Sequence, residues 1–106
     1  MSVESAAAYR VGEVVRHQLF HYRGVVVDVD PAFALTDEWY EQVARSRPPK
    51  DKPWYHVLVD DAEHTTYVAE RNLASDDRPA PIKHPQLGDF FSGFKDGCYQ
   101  SRQAVN

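Results

Sequence analysis

Five histidines, sixteen acidic residues and one cysteine are the side chains of this 106-residue chain whose types suit catalysis or metal binding. His17 and His21 stand four apart, a spacing that holds zinc when both lie on one helical face. Here they flank a turn between two β-type runs, so the spacing carries no ligand logic. Asp28, Asp30, Asp60 and Asp61 could meet at strand ends around a divalent cation, but Asp at a strand end more commonly forms the turn or protects the edge. No metal site is expected. Cys98 sits in Gly97-Cys98-Tyr99 without a fixed base nearby. No serine occupies a nucleophile elbow and no glycine-rich phosphate loop is present. These readings point away from catalysis and from any cofactor, and leave binding as the expected role.

Basic and aromatic residues crowd two segments. Arg16, His17, Phe20, His21, Tyr22 and Arg23 surround the first turn, and Arg45, Arg47, Lys50 and Lys52 precede Trp54. As a surface they could contact phosphates and stack on a base or a peptide side chain. As part of the fold they form a solvated loop, with Phe20 and Tyr22 plugging a barrel end. Leu87, Phe90, Phe91 and Phe94 are spaced i, i+3, i+4 and i+7, an apolar helical stripe. That stripe either covers its own chain or offers a hydrophobic handle to another protein.

The elements that must position these residues are short. Glu13 to His17 reads as a strand, Gln18 to His21 as its turn, and Tyr22 to Val29 as a longer strand with Val25, Val27 and Val29 facing inward. Gly24 marks a bulge or tight barrel bend, and Asp30-Pro31 stops the strand. Thr36, followed by Asp37 and Glu38, caps a helix that carries Trp39, Tyr40, Val43 and Ala44 on one side and ends at Pro48-Pro49. Leu35 and Tyr40 hold the positions of a hydrophobic staple. Trp54 to Asp60 is a third strand apolar on both faces, Asp61 to His64 a hairpin loop, and Thr65 to Ala69 a fourth strand. Glu70 to Leu73 makes one helical turn leading to a short closing strand. The expected fold is mainly β: a small SH3-like β-barrel with one inserted short α-helix and a C-terminal tail carrying a short helix. Residues 1–8 are expected to form a flexible tail, 9–75 the barrel, and 76–106 a linker and tail whose short amphipathic helix begins near Pro85.

Length and composition suit one domain. A chain of this size buries an adequate core without disulfides or metal, and the lone cysteine excludes an intrachain disulfide and fits a reducing cytoplasm. No apolar run is long enough to span a bilayer, and the N-terminus lacks the pattern of a signal peptide. The formal net charge is −4. Residues 1–29 and 76–106 are each balanced, and residues 30–75 hold nine acids against five bases. Sequence-independent DNA binding draws on several Lys or Arg contacts to phosphate, so DNA binding by this chain must rely on a local basic patch.

Val14-Val15-Arg16-His17, Tyr22-Arg23-Gly24-Val25-Val26-Val27-Asp28-Val29-Asp30-Pro31, Pro53-Trp54-Tyr55-His56-Val57 and Thr66-Tyr67-Val68-Ala69-Glu70 together resemble the bacterial HspQ heat-shock family, also called YccV-like or hemimethylated-DNA-binding. The similarity runs from about Tyr9 to Leu73 in order, spacing and residue type. It implies a small β-barrel without catalytic activity, a cytoplasmic stress protein that promotes degradation of denatured or regulatory proteins by the Lon protease. The family is also described as binding hemimethylated DNA in connection with control of replication initiation. The resemblance assigns no binding residue individually. The expected partners are therefore a Lon-type protease and its substrates, with hemimethylated duplex as the alternative. Pairing between copies through edge strands or the Phe stripe is a third possibility.

Overall fold

The computed structural model describes residues 7–77 and 79–102. The chain forms β1 (Val14–His17), β2 (Arg23–Asp30), α1 (Asp37–Val43), β3 (Trp54–Val59), β4 (Thr65–Ala69), a 3-10 turn (Glu70–Asn72) and β5 (Leu73–Ser75). These five strands make one antiparallel sheet in the order β4-β3-β2-β1-β5. Consecutive strands β4 and β5 are thus its two edges, joined by three residues. A flat sheet would hold those edges about 19 Å apart, whereas the chain from Ala69 to Leu73 reaches at most about 14 Å. The sheet must curl, which is the barrel that the short strands suggest.

Both faces of the sheet are covered. Val15, Val26, Tyr55, Val57, Val68 and Leu73 fill the inside of the curl. Val14, Val25 and Leu58 face outward and pack with Ile82, Phe91 and Tyr99. The expected inward face of Val25, Val27 and Val29 is therefore corrected: Val25 and Val27 pack with the outer cluster, and Val26 and Val29 with the inner one. A bulge between Val26 and Asp28 causes the change of side at Val29, because an extra residue there shifts the register against β3. Gly24 is not that bulge. It pairs regularly, and a Cβ there would stand 2.5 Å from the Leu58 carbonyl oxygen and 2.4 Å from Val57 Cγ1.

The capping of α1 is as the sequence indicates: the Thr36 hydroxyl accepts from Trp39 N–H at 3.1 Å, with Asp37 and Glu38 in the first turn. Pro48 and Pro49, which lie after the helix, offer carbonyls to the Tyr40 hydroxyl at 2.6 Å and to Trp54 Nε1–H at 3.1 Å. Tyr40 and Ala44 are buried with Trp54 and Ala69. Val43 is exposed, so the apolar side of the helix is narrower than Trp39, Tyr40, Val43 and Ala44 together.

The tail differs most from expectation. The helical stripe is only one turn, α2 (Leu87–Phe90), and the chain continues as a hairpin of β6 (Phe91–Lys95) and β7 (Cys98–Ser101). Phe91 and Phe94 lie three apart on β6, and the bulge between Phe91 and Gly93 lets both pack against the same cluster. Asp96 and Gly97, at φ 55° and 79°, make the turn, which an Asp-Gly pair between strands favours. The hairpin closes on the N-terminal side of the sheet, with Tyr99 N–H donating to Gly12 O at 2.8 Å and Cys98 bridging to Glu13. Gly12, at φ 96°, permits this approach: a Cβ there would lie 2.3 Å from the Tyr99 carbonyl oxygen. Of the expected N-terminal tail, residues 1–6 lie outside the described residues. Ala8 N–H donates to Glu70 Oε2 at 2.7 Å, and Ala7 packs on the inner core.

Candidate binding groove

The expected basic and aromatic surface divides into structural parts and one open groove. His17 is buried, and its Nδ1 accepts from the N–H groups of Leu19 and Phe20, each at 3.1 Å. The imidazole thereby caps the turn between β1 and β2, with its proton on Nε2. Burial, helped by the neighbouring His21, holds its pKa below the ordinary histidine value. His21 is exposed at φ 66° and closes the turn through its N–H to His17 O. Tyr22 is tied to β4 by a 2.8 Å hydrogen bond with Thr66, and burial raises its pKa. These residues act as the plug of the barrel end.

Four of the candidate cations are neutralised within the chain. Arg23 donates from Nε to Asp76 at 2.8 Å, from Nη1 to Asp60 at 3.1 Å and from Nη2 to the Ala80 carbonyl. Arg16 stands 3.6 Å from Asp76. Arg47 pairs with Glu41 at 2.8 Å and lies over the Tyr40 ring. Lys50 pairs with Asp37 at 3.1 Å and lies over Tyr40 and Phe33. Among the described residues only Arg45 and Lys52 of this set are without an acidic partner.

Phe20 behaves differently. It is 73% exposed and stacks on His17 with ring centroids 4.7 Å apart. With Leu19 it lines a groove of about 610 Å³. Leu35, Trp39 and Val43 line it too, together with Thr66 and Tyr67 of β4. Leu19, Phe20, Leu35 and Val43 are among the few large hydrophobics exposed on the described surface. A concave apolar surface of this kind marks a binding site. It runs beside β4, which pairs only with β3 and is an edge of the sheet. Of the candidates named from the sequence, His17, Phe20, Tyr22 and Arg45 line the groove, whereas Leu19, Leu35 and Val43 are not among them. The apolar wall of α1 was the available signal, obscured because helix side chains of this type usually face the core.

The tail residues sort as follows. Phe91 is buried, Leu87 and Phe94 pack against the same cluster, and Phe90 is 37% exposed. Phe94 meets Tyr99 edge-on at 4.8 Å. Leu87, Phe91 and Phe94 thus cover their own chain, and Phe90 stays exposed.

Asp28, Asp30 and His56 stand together on β2 and β3, with His56 Nε2 3.1 Å from Asp30 Oδ2 and the Tyr67 hydroxyl donating to the same oxygen at 2.7 Å. Asp60 is apart from them, held by Arg23 and by the Lys83 N–H. Asp61 forms the turn after β3 at φ 61°. Cys98 contacts the Gly12 carbonyl. No helix among the described residues is long and apolar enough to cross a membrane.

The family model described as hemimethylated DNA-binding protein YccV-like matches residues 7–98. The match extends past the segment from Tyr9 to Leu73 and takes in α2, β6 and the start of β7. A curled five-stranded sheet with a docked C-terminal hairpin is thus the fold of the matched region, and the chain belongs to the YccV-like family.

Proposed function

We propose that this protein is a non-catalytic cytoplasmic module that takes extended apolar segments of unfolded proteins into the groove beside β4 and so promotes their degradation by a Lon-type protease. The observation that carries this reading is the clustering of Leu19, Phe20, Leu35 and Val43 around one groove along a sheet edge. Unfolded chains present apolar side chains on extended backbone, which fits a groove with an edge strand on its floor. The test is degradation of a denatured protein by a purified Lon-type protease, with and without this protein. Leu19→Asp and Val43→Asp alter exposed positions and should leave folding intact while abolishing the stimulation. Full stimulation by both variants would refute the groove's role.

Binding of hemimethylated duplex is the second reading, favoured by the description of the family. Its salt dependence is decisive. Arg45 and Lys52, the members of the candidate set unpaired among the described residues, contribute about −1.8 to the log–log slope of affinity against salt, against about −5.4 if all six of Arg16, Arg23, Arg45, Arg47, Lys50 and Lys52 engage. A slope near the larger figure would mean that the internal ion pairs open on DNA. No preference for hemimethylated over fully methylated duplex would remove this reading.

A further inference from the structure

Without the bulge at Val27, Asp28 would pair with Tyr55 and point at the inner core. The extra residue instead places Asp28 opposite His56, and Asp30, two residues on, shares that face. One carboxylate oxygen from each aspartate and one imidazole nitrogen all lie within 4.8 Å of one another. No Lys or Arg pairs with either carboxylate among the described residues, in contrast to Asp60 and Asp76, which Arg23 neutralises. Two carboxylates held this close without a fixed cation repel each other.

We propose that Asp28, Asp30 and His56 bind a divalent transition-metal ion of the zinc class, with water completing its coordination. Two carboxylate oxygens and one imidazole form a donor set suited to zinc, cobalt or manganese. Ligand atoms about 2.1 Å from such an ion stand about 3.0–3.4 Å apart. His56 Nε2 and Asp30 Oδ2 already meet that spacing at 3.1 Å. Asp28 is exposed and closes the set by side-chain rotation. Asp30 is oriented from β4: the Tyr67 hydroxyl donates to it at 2.7 Å and accepts from the Ala34 N–H at 3.0 Å. This is the outer-shell support that ligating carboxylates receive in metal sites. The site adjoins the groove, whose lining includes His56 and Tyr67, but metal binding is measured separately from any groove occupant.

The experiment uses the full chain stripped of metal with a chelator, titrated with zinc by calorimetry and with cobalt by visible absorption. Asp28→Asn retains an oxygen for the Val29 N–H that Asp28 accepts at 2.9 Å, so it removes the ligand charge without disturbing the strand. His56→Gln is the second variant. Binding of one zinc per chain is expected, weakened in each variant by at least the roughly 10–100-fold that loss of an outer-shell partner produces. Cobalt should give a visible band in the parent protein alone. Failure of the parent protein to bind zinc overturns the proposal. So does unchanged affinity in either variant, which would place the ion on other imidazoles.

Discussion

Replacing Arg23 by Met tests whether this guanidinium is part of the fold or part of a binding surface. Met keeps much of the apolar stem and removes the contacts to Asp76, Asp60 and Ala80. The Asp76 side chain is 2% exposed and loses its contact with Arg23 Nε in a site that water hardly reaches. Asp60, at 24%, can be resolvated, and Arg16 remains 3.6 Å from Asp76. Removing one partner of a buried pair costs about 3–5 kcal/mol, and the two mitigating features put this case at the lower end, about 3 kcal/mol. With an m-value of about 1.5 kcal/mol/M, the urea midpoint falls by about 2 M. Adding Asp76→Asn removes the buried charge, and the double variant should regain part of the loss. A change below about 0.5 kcal/mol, the range of ordinary surface substitutions, would refute the structural role and return Arg23 to the free cations.

Three further outcomes follow from the same geometry. Gly24→Ala should destabilise by at least about 1–3 kcal/mol, since the new methyl meets the Leu58 carbonyl; a neutral or stabilising result in urea would show that β2 and β3 are not so close. Phe91→Ala should cost about 3–5 kcal/mol because Phe91 is buried against the sheet, and an unaltered midpoint would mean that the hairpin does not share the core. His17 has its pKa depressed in the folded state, so the unfolded chain binds the proton more readily. The stability it contributes is complete above the ordinary value of 6.5 and is lost as pH falls through that value toward the folded pKa. The Tm should therefore drop between pH 7 and pH 5, and by less in His17→Asn; equal drops would assign the effect elsewhere.

The parts of the fold legible in the sequence are those where local chemistry and global packing agree. Thr36 caps a helix whatever lies around it. The run from Trp54 to Ala69 alternates and turns as a hairpin must. The tail departs from its helical pattern because only Leu87 and Phe90 lie on the helical turn, while a bulge after Phe91 brings Phe91 and Phe94, three apart on a strand, against one cluster. The Asp96-Gly97 turn, the stronger signal, outweighs that pattern. The bulge at Val27 carries no residue-type signature, so the meeting of Asp28 with His56 could not be seen before the register was known. The roles of Arg16, Arg23, Arg47 and Lys50 were hidden for a related reason. Their acidic partners lie from 6 to 60 positions away, and only the folded chain shows which cations are left over.

The junction of Gly12 and Glu13 with Cys98 and Tyr99 sets an order of events during synthesis. The outward valines of β1 and β2 are made early, yet the residues that shield them emerge only once the ribosome has passed position 101. Until then the nascent chain carries a bare apolar sheet face, and its closure depends on contacts almost ninety residues apart, the kind of high contact order that slows folding. A protein of this design is itself vulnerable to aggregation at birth and is expected to gain from the cell's early-binding chaperones.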